Sequence, residues 1–252
     1  MRRSDEGSTV GGSRGATLPS DVDEAPIEVG AIAFDLDGTL LDTIHDLAAA
    51  CNALLAELRY PGLPAGEIRD MVGKGMSNLV GKVLARATGM RPDAIDAGAV
   101  EDALSRYQLL YAAQLGRDTK LYAGTMEGLL RLSSLQIPLA VVTNKSTRFV
   151  RPHLAQAGIE HFFSQVIGGD DLPTKKPHPG ALLHVAKVFG IPPARLLMVG
   201  DSGNDAQAAR AAGCPVLIVP YGYNEGRAPE TLACDRMVAT VEEAARLLGS
   251  RL

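Results

Sequence analysis

The sequence predicts an α/β fold, in which a parallel sheet is covered by helices on both faces and a small all-helical domain follows the first strand. Three observations support this prediction. Short apolar runs alternate with helical patterns along most of the chain, as they do in βαβ units. Residues 44–115 break the alternation and carry helical patterns only. The 252 residues, 46% of them hydrophobic, are enough for one large core and a smaller domain.

Five apolar runs have the length and composition of strands that are buried on both faces of a sheet. The first run is IEVGAIAF, which ends at Phe34. The others are IPLAVVT (137–143), QVIGG (165–169), RLLMVGD (195–201) and PVLIVP (215–220). Helical patterns alternate with these runs, and we expect helices at 124–135, 146–157, 178–189, 203–212 and 241–249.

The inserted segment carries apolar residues at helical spacing. DTIHDLAAACNALLAEL, SNLVGKVLARATG and DALSRYQLLYAAQL each show such a stripe, and Pro61, Pro64 and Pro92 mark the joints between helices. A stripe of this kind is typical of a packed helical core. The predicted division of the chain is a disordered tail rich in Gly, Ser and charge at 1–27, an α/β core at 28–43 and 116–252, and an all-helical cap at 44–115.

Composition argues against several classes of partner. The formal net charge of −4 gives no basic surface for nucleic acid or for a membrane. No apolar run approaches the length of a membrane span, and the N-terminal tail lacks the apolar region of a signal peptide. The three cysteines (Cys51, Cys214 and Cys234) form no CxxC pair, which favours a reducing compartment. We therefore expect a cytoplasmic protein.

Polar side chains follow four of the predicted strands, at the edge where a parallel sheet binds its ligands. The first strand is followed by Asp35, Asp37, Gly38 and Thr39. The later strands are followed by Thr143 and Asn144, by Lys175 and Lys176, and by Asp201, Ser202, Asn204 and Asp205. Because the ends of these strands share one edge, we expect the side chains to lie close together.

The residue types indicate phosphoryl chemistry with a magnesium ion. Clustered carboxylates raise one another's pKa unless a cation neutralises them. Oxygen ligands without a Cys or His pair suit Mg²⁺ together with a substrate phosphate. Asp35 is then free to act as a nucleophile, and Asp37 reaches the same substrate as acid and base. The donors suited to phosphate oxygens are Thr143, Asn144, Lys176 and the backbone N–H groups near Gly38.

Structural alternatives stay open for single residues. The alternatives are that Asp37 or Thr39 serves the turn, that Asp205 caps its helix, that Thr143 is an ordinary hydroxyl at a strand end, and that Lys175 is solvated. A purely structural role does not account for Asp35, Asp37, Lys176 and Asp201 together.

Four motifs resemble, in the same order, those of the haloacid dehalogenase superfamily in its phosphatase branch. They are DLDGTLLDT, VVTNK, KKPHP and GDSGND, and the resemblance covers roughly residues 30–250. It implies a Rossmann-like core, with the helical insertion as the C1 cap of that family. It also implies Mg²⁺-dependent hydrolysis of a phosphate monoester. Dehalogenating members lack the second aspartate of the first motif, so the presence of Asp37 implies a phosphatase.

The resemblance also implies roles for individual residues. Asp35 would form an aspartyl-phosphate, while Asp37 would protonate the leaving group and then activate water. The implied holders of the phosphoryl group are Thr143, Asn144 and Lys176. The implied magnesium ligands are Asp35, the backbone carbonyl of Asp37 and Asp201, with Asp205 as a further ligand or a neighbour of the ligands.

The segment MVGKGMSNLV (71–80) is a candidate substrate contact in the cap. Gly73 and Gly75 flank Lys74 at a helix start, which is typical either of a second anion site or of a plain turn between helices. The segment is similar to the cap loop of bacterial phosphoglycolate phosphatases, and YGYN (221–224) also recurs in that family. This similarity implies that the substrate is 2-phosphoglycolate.

The same sequence features are also compatible with other functions. Phosphatases of sugar phosphates, such as N-acetylmuramate 6-phosphate, and mutases of the β-phosphoglucomutase type share most of these features. A receiver-like signalling module that is phosphorylated on an aspartate is the non-enzymatic alternative, although such a module needs no helical lid. The expected partner is a small phosphorylated metabolite, and the chain is expected to be a monomer or a homodimer.

Overall fold

The computed structural model describes residues 29–249, so the predicted tail at 1–27 lies outside the described residues. The strands are β1 (Ala31–Phe34), β2 (Leu41–Asp42), β3 (Lys120–Leu121), β4 (Leu139–Val142), β5 (Gln165–Ile167), β6 (Leu196–Gly200), β7 (Val216–Ile218) and β8 (Arg236–Met237). The α-helices are α1 (Ile44–Glu57), α2 (Ala65–Arg69), α3 (Met76–Thr88), α4 (Ala97–Gln114), α5 (Thr125–Ser134), α6 (Thr147–Gln156), α7 (Gly180–Val188), α8 (Gly203–Ala212) and α9 (Val241–Gly249).

Six parallel strands form the main sheet, in the order β5-β4-β1-β6-β7-β8. Side chains of the central strand alternate between two apolar layers. Ile32 and Phe34 lie in one layer, while Ala31 and Ala33 lie in the other. Strand β1 is therefore buried on both faces, as its uninterrupted apolar sequence predicts.

Helices cover both faces of the sheet. Helices α5, α6 and α9 contribute to the layer that contains Phe34, and α7 and α8 contribute to the layer that contains Ala33. This arrangement confirms the predicted α/β fold with a parallel sheet. Because β1 lies between β4 and β6, the segments that follow these three strands meet at one edge of the sheet.

The first strand is shorter than predicted. It begins at Ala31, although the apolar run begins at residue 27. Its ladders with the neighbouring strands begin at the pairs Ala31↔Leu196 and Ile32↔Leu139, so Gly30 and Val29 have no strand ladder beside them. The prediction also missed β2, β3 and β8, because strands of two residues are too short to show an alternating pattern.

Residues 44–115 contain α1 to α4 and no strand, as predicted. These helices have an apolar core of their own, to which the α/β part contributes Phe149 and Tyr223. The chain enters the helical insertion after β2 and returns to the α/β part before β3. These two chain crossings lie side by side, because β2 and β3 pair antiparallel. The domain boundaries at 44 and 115 stay a prediction, which this packing supports. Among the described residues, no helix is long and apolar enough to cross a membrane.

Candidate active site

The loop after β1 places Asp35 and Asp37 at the carboxyl edge of the sheet. The carbonyl of Leu36 accepts hydrogen bonds from the N–H groups of Thr39, Leu40 and Leu41, which closes a tight turn. Gly38 has a φ of +95°, and any side chain at this position would collide with the carboxylate of Asp201. A glycine is required here because it accepts this backbone conformation and leaves room for Asp201.

Two donors orient the carboxylate of Asp201, which follows β6. The buried hydroxyl of Thr39 donates to Asp201 Oδ1 over 2.6 Å, and the backbone N–H of Tyr223 donates to Asp201 Oδ2 over 2.5 Å. Thr39 therefore links the turn after β1 to the end of β6. Tyr223 also belongs to a second contact, because its hydroxyl accepts from the N–H groups of Thr43 and Ile44 at the start of α1.

Asp205 both caps a helix and holds a lysine. Asp205 Oδ2 accepts from the backbone N–H of Ser202 over 3.0 Å, which is part of a capping box at the start of α8. The same oxygen also accepts from the Ser202 hydroxyl over 2.7 Å. Asp205 Oδ1 accepts from Lys176 Nζ over 2.6 Å. Since both oxygens are engaged, Asp205 fixes Lys176 next to the other carboxylates.

Lys176 is buried among acceptors. Its Nζ lies 2.9 Å from Asp35 Oδ1 and 2.6 Å from both Asp205 Oδ1 and the carbonyl oxygen of Val142. Burial alone would lower the pKa of Lys176, but the charges of Asp205 and Asp35 outweigh it and raise that pKa. Lys176 therefore remains charged. Its neighbour Lys175 is exposed, in agreement with the solvated alternative.

The carboxylates of Asp35, Asp201 and Asp205 form a cluster that fits a magnesium ion. One oxygen from each lies within 4.8 Å of the others. Burial raises the pKa of Asp35 to about 6, with Lys176 opposing the shift and Asp205 adding to it. Burial and the charges of Asp35 and Asp205 raise the pKa of Asp201 well above its usual value. A divalent cation would relieve this repulsion, and an all-oxygen donor set suits Mg²⁺.

Thr143 and Asn144 follow β4, and both line the cavity beside the carboxylates. The amide of Asn144 donates to the carbonyls of Gly73 and Lys176 over 2.9 and 2.8 Å. Both of its N–H groups are thus engaged in linking the α/β part to the helical insertion. The hydroxyl of Thr143 accepts from the N–H of Lys145 over 3.2 Å. Phosphate binding by these two side chains stays a prediction.

A second buried lysine lies on the other side of the site. Lys145 Nζ lies 2.9 and 3.1 Å from the two carboxylate oxygens of Asp37 and donates to the hydroxyl of Tyr111 over 2.6 Å. Burial would lower the pKa of Lys145, but Asp37 and then Tyr111 outweigh it and raise that pKa. The ammonium also lies 4.8 Å from the centre of the Tyr111 ring.

The site opens into a cavity of about 40 Å³ between the α/β part and the helical insertion. The insertion contributes the lining residues Leu47, Val72, Gly73, Gly75, Met76 and Leu79. Lys74 is not among the lining residues. Its side chain is 45% exposed and lies 3.4 Å from Glu225, which also pairs with Lys82 over 2.7 Å. The proposed anion contact of Lys74 therefore stays a prediction.

Comparison with known proteins agrees with the geometry of these strand ends. Residues 32–219 match the family model of haloacid dehalogenase-like hydrolases. The chain belongs to this family. It is 41% identical to the phosphoglycolate phosphatase of Thiobacillus denitrificans and 45% identical to that of Nitrosospira multiformis; each match covers 88% of this chain and 97% of the relative.

A solved structure also resembles this haloacid dehalogenase-like hydrolase along most of its length. The structure is that of a predicted phosphoglycolate phosphatase from Haemophilus somnus 129pt. It has a TM-score of 0.82 and 31% sequence identity, and the match covers 87% of this chain and 98% of the other.

Sequence reasoning brought the four motifs of this hydrolase together but missed Lys145 and Tyr111, and it named Tyr223 only as part of YGYN. Lys145 belongs to the quoted motif VVTNK, yet a lysine after a strand is most often solvated. Tyr111 lies in α4 among apolar residues, where an aromatic residue is ordinarily core. The contact between these two side chains was the missing signal, and it exists only in the folded chain.

Proposed function

We propose that this haloacid dehalogenase-like hydrolase converts 2-phosphoglycolate to glycolate and inorganic phosphate in a Mg²⁺-dependent reaction. The observation that carries the reaction class is the cluster of Asp35, Asp201 and Asp205 around Lys176, with Asp37 two residues from Asp35. The substrate is supported by relatives that are 41% and 45% identical and are named phosphoglycolate phosphatases.

Asp35 acts as the nucleophile in the first step. One of its carboxylate oxygens forms a bond to phosphorus while the bond from phosphorus to the ester oxygen breaks, which leaves an aspartyl-phosphate. Asp37 gives its proton to the departing glycolate oxygen. Asp37 then accepts a proton from water as that water attacks phosphorus, and the bond to Asp35 breaks to release phosphate.

Other groups of the site hold the phosphoryl group during both steps. Lys176 supplies a fixed positive charge, because Asp205 and the Val142 carbonyl hold its ammonium beside Asp35. Thr143, Asn144 and the backbone near Gly38 are the further proposed contacts to phosphate oxygens; the Asn144 amide would give up one of its two carbonyl partners to make this contact.

A magnesium ion would be held by Asp35, the backbone carbonyl of Asp37 and Asp201, with Asp205 as a ligand or a neighbour of the ligands. When bound, Mg²⁺ supplies positive charge that stabilises the transferring phosphoryl group. The donors to Asp201 from Thr39 and Tyr223 keep its carboxylate aimed at the cluster.

Residues 44–115 act as a cap over the site, and the apolar side chains that they contribute to the cavity exclude water from it. We place the protein in the cytoplasm, where it acts on a small phosphorylated metabolite as a monomer or a homodimer.

A panel of phosphate esters, assayed with and without Mg²⁺, tests this function. The panel contains 2-phosphoglycolate, N-acetylmuramate 6-phosphate, glucose 1-phosphate and p-nitrophenyl phosphate. We expect Mg²⁺-dependent release of phosphate, with the highest kcat/KM for 2-phosphoglycolate. If 2-phosphoglycolate is among the poorest substrates, the proposed substrate is wrong. If glucose 1-phosphate is isomerised with little free phosphate, the protein is a mutase.

A further inference from the structure

Lys145 is a second buried ammonium in the active site, and the mechanism above gives it no role. Its side chain is 1% exposed. Its Nζ contacts both carboxylate oxygens of Asp37 and donates to Tyr111. Burial of a lysine ammonium is costly unless it is paired, so a buried lysine in an active site is a candidate for a functional role.

The two lysines of the site contact different aspartates. Lys176 contacts Asp35, on the side where the phosphoryl group is transferred. Lys145 contacts Asp37, the proposed acid that gives its proton to the leaving oxygen. If Asp37 is that acid, the ammonium of Lys145 lies beside the position of the leaving group.

Lys145 also differs in charge from the other residues that line the cavity. Of the described residues that line the cavity, it is the one with a positively charged side chain. The wall opposite the strand ends is apolar, with Leu47, Val72 and Met76 among its members. An ammonium beside such a wall interacts strongly with an anion, because the surroundings screen the charge poorly.

The chemistry of the proposed substrate matches this position. In 2-phosphoglycolate the carboxylate is attached to the carbon that bears the ester oxygen. A substrate whose ester oxygen reaches Asp37 brings its carboxylate one carbon further along the same side. Lys145 Nζ lies 2.9 Å from Asp37 Oδ1 and would then be within reach of that carboxylate, with which an ammonium forms strong charge-assisted hydrogen bonds.

We propose that Lys145 binds the substrate carboxylate and selects for phosphate esters that carry a carboxylate on the ester carbon. The substrate carboxylate takes over an N–H group that Lys145 gives to Asp37 in the absence of substrate, while Tyr111 anchors the ammonium. This inference rests on the proposed function and assigns the carboxylate contact to Lys145. Lys74, the candidate from the sequence, is paired with Glu225 outside the cavity lining.

The test compares two substrates that differ only at the carboxylate. Ethyl phosphate has a methyl group where 2-phosphoglycolate has its carboxylate. We expect Lys145→Met to lower the ratio of kcat/KM values, 2-phosphoglycolate over ethyl phosphate, by at least about 30-fold. Any disturbance of Asp37 affects both substrates and cancels in the ratio. The control Lys187→Met is expected to keep the ratio within about 3-fold, because Lys187 is exposed on α7 and does not line the cavity.

The outcomes separate this inference from the proposed function. An unchanged ratio in Lys145→Met, in an enzyme that hydrolyses 2-phosphoglycolate, overturns the carboxylate contact alone. If Lys145→Met does not fold, Tyr111→Phe takes its place, since it removes only the hydroxyl that anchors the ammonium. A fall of at least about 3-fold then supports the contact, and an unchanged ratio overturns it. A wild-type enzyme that does not hydrolyse 2-phosphoglycolate overturns the proposed function and this inference with it.

Discussion

At the scale of single residues, the site separates two aspartates that the sequence places only two positions apart. Asp35 lies 2.9 Å from Lys176, which the segment after β5 supplies, and Asp37 lies 2.9 Å from Lys145, which follows β4. Each carboxylate thus has its own ammonium from a different part of the chain. This difference in surroundings supports the proposed division of roles, in which Asp35 attacks and Asp37 carries a proton.

Lys176 and Lys175 form a matched pair for mutation, because they are neighbours in sequence and differ in burial. We predict that Lys176→Met lowers kcat by about 100- to 1000-fold and lowers the free energy of unfolding by about 3–5 kcal/mol, since it leaves buried carboxylates without their cation. Lys175→Met is expected to change neither quantity appreciably. Steady-state kinetics and urea unfolding measure both. Similar losses in the two variants would contradict the account.

The candidate residues were largely predictable because parallel strands place the residues that follow them at one edge. Asp35, Thr143 and Asp201 needed only strand assignments to be brought together. Lys145 was missed because its significance depends on Tyr111, which lies on another element, and the engagement of the Asn144 amide depends on a carbonyl in the helical insertion. Contacts between distant segments leave no periodic signal in the chain.

At the scale of elements, Asp46 in the first turn of α1 holds the second chain crossing. It is fully buried and accepts from the N–H groups of Gly116 and Asp118 over 2.8 and 2.9 Å, and from the hydroxyl of Thr119 over 2.7 Å. A carboxylate that accepts several hydrogen bonds fixes the backbone that donates them. Asp46 therefore ties together the two crossings between the α/β part and the helical insertion.

We predict that Asp46→Ala destabilises the protein by about 2–4 kcal/mol, because it leaves several buried donors without an acceptor. His45→Ala is the control, since His45 lies in the same turn but is exposed. Its effect is expected to stay within about 0.5 kcal/mol. Unfolding in urea measures both changes. If the two variants are equally stable, the hydrogen bonds of Asp46 do not hold the crossing.

His153 of α6 connects to the same crossing and gives the protein a pH-dependent stability. Its Nε2 lies 2.8 Å from the hydroxyl of Thr119, and because that hydroxyl donates to Asp46, the ring must be the donor to it. Burial and then the charge of Lys145 lower the pKa of His153 to about 4, although Asp37 and Asp46 act in the opposite direction. The folded chain therefore keeps this imidazole neutral.

The direction of the pH effect follows from the two pKa values. The unfolded chain binds the proton below about pH 6.5 and the folded chain only below about pH 4, so protonation favours unfolding between these limits. We predict that the titration of His153 lowers the free energy of unfolding by about 3 kcal/mol as the pH falls from 6.5 to 4. His153→Gln should lack this part of the slope in urea unfolding at stepped pH. Equal slopes in the two proteins would show that His153 is not the group responsible.

At the scale of the whole molecule, the proposed binding of Mg²⁺ by the carboxylate cluster would couple to stability. Asp35, Asp201 and Asp205 repel one another in the folded chain and separate when it unfolds. We predict that Mg²⁺ at one hundred times its Kd stabilises the protein by about 2.7 kcal/mol, which raises Tm. Asp201→Asn should lose most of this shift. Glu225→Gln removes the same charge from a nearby loop outside the cluster, so it should keep the shift. An equal shift in all three proteins would mean that Mg²⁺ binds elsewhere.

The proposed mechanism requires Asp35 to receive the phosphoryl group from the substrate. The measurement is acid quenching during turnover of 2-phosphoglycolate, followed by mass spectrometry of the peptide that contains Asp35 and by assay of released phosphate. We predict one phosphoryl group on this peptide in the wild-type protein, and neither adduct nor phosphate release in Asp35→Asn. Mg²⁺-dependent phosphate release that survives in Asp35→Asn would contradict the account.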